Sequence, residues 1–105
     1  MSRFVPVPGA ATLADNAALA VEIDGTAVLV CRSGDSFHAI ANQCTHADEP
    51  LTCGRIRNGW IACPAHGARF DLASGEVYGP PATEALRTFP VRVTEGVVEV
   101  AVSVA

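Results

Sequence analysis

Apolar positions in this chain come in short runs, each closed by Gly, Asn, Asp or Pro. Leu19, Val21 and Ile23 alternate with Ala20 and Glu22, the period-two pattern of a half-buried strand. Asp24-Gly25 supplies the positive φ of a tight hairpin, so Thr26 to Arg32 is predicted as the return strand, apolar enough to be central. Ser33-Gly34-Asp35 turns again, and Ser36 to Asn42 is a further strand. Upstream, Arg3 to Val7 reads as a short edge strand, because Pro6 cannot donate to a central ladder. Thr12 to Asn16 is a loop or a single helical turn.

Downstream, Arg55 to Arg57 and Trp60 to Ala62 flank Asn58-Gly59, another hairpin turn. Ala68 to Asp71 is a strand, and Ala73-Ser74-Gly75 turns into Glu76-Val77-Tyr78. Gly79-Pro80-Pro81 is a rigid, non-helical turn. Thr83 to Thr88 connects to a strand over Phe89 to Thr94; Glu95-Gly96 turns into a last strand, Val97 to Val102. Nearly every element is a short strand, so the expected fold class is all-β.

A chain of 105 residues makes one domain. Its two ends are expected to pair as a base, about residues 1–42 and 79–105, with residues 43–78 as an insert. A net charge of −4, with no Lys/Arg patch visible along the chain, argues against nucleic acid and for acidic patches that meet basic ones. No stretch approaches the roughly 18 apolar residues of a membrane span. The N-terminal residues lack the apolar run of a signal peptide. A cytosolic setting keeps thiols reduced and suits four cysteines without an evident disulfide framework.

Chemistry concentrates in Cys44-x-His46 and Cys63-x-x-His66, each pair joining one thiol to one imidazole. Two short loops that each present one of both make a four-ligand metal site. A structural zinc site is one reading, although zinc fingers pair cysteine with cysteine and histidine with histidine. The mixed pairs suit a two-iron cluster in which one iron takes both thiolates and the other both imidazoles. Cys31, in the apolar run Ala27 to Cys31, is expected to be a buried free thiol. Cys53 is expected to be a non-ligand thiol, since four ligands complete the site. His38 stands apart on a strand and is expected to be a plain surface or half-buried histidine rather than a ligand.

With Cys63-Pro64-x-His66-Gly67 followed by Phe70-Asp71-Leu72-x-x-Gly75, the chain resembles the Rieske [2Fe–2S] family. Gly79-Pro80-Pro81 and Phe89-Pro90-Val91-x-Val93 extend the likeness to about Phe37 through Val100. It is most similar to the soluble Rieske-type ferredoxins of bacterial aromatic-ring-hydroxylating dioxygenase systems. That resemblance implies an antiparallel β-sandwich or barrel base with an inserted cluster-binding subdomain. It implies one [2Fe–2S] cluster, with Cys44 and Cys63 on the inner iron and His46 and His66 on the exposed one. The proline turn at Gly79-Pro80-Pro81 would cover one side of the cluster.

High-potential members of the family carry a loop disulfide and two hydroxyl donors beside the cluster. The matching positions here are Glu49 and Ala65, and Ala68 and Phe70, so both devices are missing. A potential near the low end of the class follows. The resemblance then implies a cytoplasmic, monomeric electron carrier rather than an enzyme. Its partners would be an NAD(P)H-dependent flavoprotein ferredoxin reductase and a terminal Rieske oxygenase, with neither nucleic acid nor membrane involved. Asp48 and Glu49 would be partner contacts or simply a solvated loop. A small subunit of an assimilatory nitrite reductase, or a non-redox metal-binding module, are the alternatives.

Overall fold

The computed structural model describes residues 3–44, 50–52, 54–64, 67–78 and 84–102. Among these residues three antiparallel sheets form. One joins β1 (Phe4–Pro6), β10 (Val97–Ala101) and β9 (Val91–Thr94), in that order. The second runs β2 (Ala18–Ile23), β3 (Thr26–Ser33), β4 (Ser36–Ala41), β8 (Thr88–Phe89). The third is β5 (Arg55–Arg57), β6 (Trp60–Ala62), β7 (Arg69–Asp71). Phe4 lies opposite Ala101, and Pro6 lies on an edge strand where its missing donor costs no ladder bond.

The hairpin dipeptides act as their chemistry dictates. Asp24-Gly25 has φ of 49° and 80°, and Asn58-Gly59 has 46° and 82°. Two successive left-handed residues give the turn whose twist matches the flanking strands. The helical turn lies slightly earlier than expected, as a single 3-10 turn over Ala10–Thr12. The third strand of the insert begins at Arg69 rather than Ala68.

The run Val28 to Cys31 explains the layering. All four residues are fully buried, which requires both faces of β3 to be covered. Val28 and Val30 pack with Val98, Val100 and Phe89 toward the terminal sheet. Leu29 and Cys31 pack with Ile56, Ile61 and Phe70 toward the β5–β6–β7 sheet. The second sheet is therefore a middle layer shared by two cores.

The expected strand Phe89 to Thr94 is in fact two strands. Phe89 pairs with Ala39 in the middle sheet, whereas Val91 pairs with Val100 in the terminal sheet. Pro90 makes the switch. It has no N–H to offer a ladder, and its carbonyl accepts a 3.0 Å bond from Ala101 N–H. The period-two alternation of Phe89, Val91 and Val93 continues across the break, which hides it in the sequence.

Candidate metal centre

Cys44 leaves the end of β4 two residues after Asn42. The Asn42 side chain spans the loop that follows: its Oδ1 accepts from Leu51 N–H at 2.8 Å, and its Nδ2 donates to Thr52 Oγ1 at 2.9 Å. Gly54 N–H then donates to Leu51 O at 2.8 Å. A Cβ on Gly54 would lie 2.5 Å from Ala62 O and 2.9 Å from Leu51 O, so only glycine permits this approach. Cys63 follows β6 directly. Its N–H donates to Ala68 O at 2.7 Å, and its carbonyl accepts from Gly67 N–H at 2.9 Å. Each cysteine thus sits in a loop closed by hydrogen bonds between its own ends.

The two closures bring Cys44 and Cys63 into one apolar core with Leu51, Ile61, Phe70 and Leu72. Their exposures are 1% and 2%, and neither is in a disulfide. A thiolate so deeply desolvated is stable only against a cation. Two enclosed thiols therefore fit the inner iron of a cluster that has mixed ligands. His46 and His66, like Cys53, Asp48, Glu49, Ala65 and the Gly79-Pro80-Pro81 turn, lie outside the described residues.

Cys31 shares this core but keeps its proton: burial pushes its pKa up to about 12. It is the inert thiol expected. His38 lies opposite Cys31 in the β3–β4 ladder, on the face away from Phe37, as the strand alternation predicts. Burial lowers its pKa, and the Asp71 carboxylate partly offsets this. No carboxylate neighbours His38 along the chain; β7 brings one from 33 positions downstream.

Ala68 and Phe70 are both fully buried in the core that holds the cysteines. Neither carries a hydroxyl. Tyr78 does, but it donates to Asp71 Oδ1 at 2.7 Å. Asp71 Oδ2 accepts from Ser74 N–H and Oγ, and these bonds, Tyr78 first, hold its carboxyl below the usual range. Asn42 and Gly54 were not singled out by sequence; the only signal was an Asn closing an apolar strand just before a ligand cysteine.

A model of the Rieske [2Fe-2S] domain matches residues 3–90. The chain belongs to the Rieske [2Fe–2S] domain family. A [2Fe–2S] cluster of Rieske type is accordingly its cofactor. The anthranilate 1,2-dioxygenase ferredoxin subunit of Burkholderia cepacia is 35% identical over 73 residues, 70% of this chain and 68% of that one. The ferredoxin of carbazole 1,9a-dioxygenase from Nocardioides aromaticivorans IC177 has a TM-score of 0.86 at 33% identity, covering 92% of this chain and 95% of that one. A chain in a complex of reduced oxygenase and oxidized ferredoxin of carbazole 1,9a-dioxygenase reaches 0.87 at 33% identity, with 93% and 92% covered. This Rieske chain also spans 12% of the longer Apoptosis-inducing factor 3 of Mus musculus, at 33% identity. A candidate nitrite reductase small subunit from Mycobacterium tuberculosis shares the fold, with a TM-score of 0.86 at 24% identity. No helix among the described residues is long and apolar enough to cross a membrane.

Proposed function

We propose that this Rieske protein carries single electrons from an NAD(P)H-dependent flavoprotein reductase to a terminal ring-hydroxylating oxygenase. The observation that carries the reading is the pair Cys44 and Cys63, buried together on two hydrogen-bonded loops in a single apolar core. Cys44 and Cys63 would hold one iron of the cluster, and His46 and His66 the other. Bound there, the cluster supplies reversible one-electron transfer. The chain fixes the two thiols through the Asn42 and Cys63–Ala68 closures and excludes water from them with Leu51, Ile61, Phe70 and Leu72. Neither Ala68 nor Phe70 would offer a hydroxyl to a cluster bound there, and a low potential would follow.

The ferredoxin components among its relatives, one of them seen with its oxygenase, support this system over nitrite reduction, where the likeness is of fold alone. In this reading residues 43–78 form the cluster-binding subdomain on a base of about 1–42 and 79–105, in a cytoplasmic monomer that leaves catalysis to its oxygenase. The test is reconstitution. Purified holoprotein should restore NAD(P)H-driven electron flow from a ferredoxin reductase to a ring-hydroxylating oxygenase. Support of a nitrite reductase instead would move the chain to that system.

A further inference from the structure

The seven basic side chains are all arginine, and three of them fall on the nine residues of the β5–β6–β7 sheet. The register places them on one face. Arg55, Ala62 and Arg69 form one cross-strand row, and Arg57, Trp60 and Asp71 form the next. Cross-strand partners share a face, as do residues two apart along a strand. The opposite face, Ile56, Ile61 and Phe70, is buried in the core with Cys44 and Cys63. Arg55, Arg57 and Arg69 are all exposed, whereas Trp60 is half-buried.

Among the described residues no carboxylate forms an ion pair with any of these three guanidinium groups. Arg3 pairs with Asp24 and Arg92 with Glu99, elsewhere on the surface. Arg69 instead lies over the Trp60 ring, 4.9 Å from its centroid. Asp71, the one carboxylate in the two rows, is engaged by Tyr78 and Ser74. Strands are spaced about 4.8 Å apart, so the three charges lie within about one Debye length and reinforce one another. The chain as a whole has a net charge of −4, so the rest of its surface is more acidic than that total. Like charges so close are destabilising in isolation, and a complementary surface would relieve them.

We propose that this arginine face is the docking surface for a carboxylate-rich patch on a redox partner protein, with Arg55, Arg57 and Arg69 as its charged anchors around Trp60. The proposal rests on the electron-carrier reading and adds where the partner sits. Guanidinium forks suit carboxylates bidentately. The face adjoins the proposed ligands: Ala62 precedes Cys63, and Arg69 follows Ala68, which accepts the Cys63 N–H bond. Its small extent matches a transient redox contact. Nucleic acid fits less well, because phosphates extending past the face would meet the acidic remainder.

The test uses holoprotein reduced at its cluster. Oxidation by ferric EDTA, an anion, and by hexaammineruthenium(III), a cation, is followed by stopped-flow absorbance across ionic strength. In each reaction one electron leaves the cluster and reduces the metal complex. The arginine face predicts that the ferric EDTA rate falls with added salt, by roughly tenfold between low and high ionic strength. The triple change R55E/R57E/R69E should reverse that sign, and R55K/R57K/R69K should preserve it. If the glutamate variant loses its cluster, single Arg→Gln changes carry the comparison. A wild-type rate that rises with salt, as the net charge alone dictates, overturns the proposal while leaving the carrier reading intact. Protein that cannot be reduced at all fails the carrier reading first. Binding of hexaglutamate to the oxidised protein should depend on the same arginines, and tighter binding of a short DNA duplex would also overturn the proposal.

Discussion

The Asn42 side chain accepts a 2.8 Å hydrogen bond from Leu51 N–H, closing a loop that starts just after β4 and contains Cys44. Leu51 is fully buried, so its N–H has no water to turn to if that acceptor is lost. Asn42→Ala should lower stability by about 1–3 kcal/mol, the cost of an unsatisfied buried donor. Thermal unfolding measures this. Loss of the cluster's visible absorbance to a chelator should also be faster in the variant. An unchanged rate of loss would show that the clamp does not hold the ligand loop.

Gly75 has φ of 78°, and a Cβ there would lie 2.2 Å from Leu86 O. Gly75 N–H donates to Asp71 O, and Gly75 O accepts from Leu86 N–H, so backbone is packed against backbone. Gly75→Ala combines a strained dihedral with an overlap that no side-chain rotation relieves. Urea denaturation should show a loss of at least about 2 kcal/mol. Gly34, with φ of 61° and nothing within 4 Å of a Cβ, is the control and should lose less on the same substitution.

How legible was this arrangement beforehand? The strands announced themselves because Asp24-Gly25, Asn58-Gly59 and Glu95-Gly96 are local signals, and each does turn the chain. The Rieske assignment was legible because ligand spacing is local too. What stayed hidden is what depends on register between distant segments. The switch at Pro90 is invisible while alternation continues on both sides. The Asp71–His38 proximity joins β7 to β4. The sequence showed no basic patch, yet cross-strand pairing gathers Arg55, Arg57 and Arg69 on one face.

On the acid side, two of the described groups shape the pH dependence of stability. Burial lowers the pKa of His38 in the folded state. The unfolded chain, with a pKa of about 6.5, then binds the proton more readily, so this contribution is complete above about pH 6.5 and is lost as pH falls through the folded value. Asp71 is also lowered, by Tyr78 and Ser74, so its contribution is present above about pH 4 and is lost below. Chemical denaturation between pH 7 and 5, a range of about two units around the histidine value, should show falling stability. His38→Gln should flatten that fall; Tyr78→Phe should leave it in place and alter only the acid limb.

Ala68 is fully buried beside Cys63, its carbonyl accepting the Cys63 N–H bond. Ala68→Ser would place a hydroxyl where high-potential relatives carry one. The midpoint potential should rise, because a donor to the cluster sulfurs favours the reduced form. A fall, or no change in a variant with an intact cluster, would show that this position does not control the potential.

The most direct measurement is an anaerobic redox titration of the purified holoprotein, followed by electron paramagnetic resonance of the reduced state. The expected result is a single one-electron wave with a negative midpoint, toward the lower end of the span of about −150 to +300 mV for clusters with two histidine ligands. A clearly positive midpoint, or no one-electron wave, would contradict a low-potential Rieske shuttle held by Cys44, His46, Cys63 and His66.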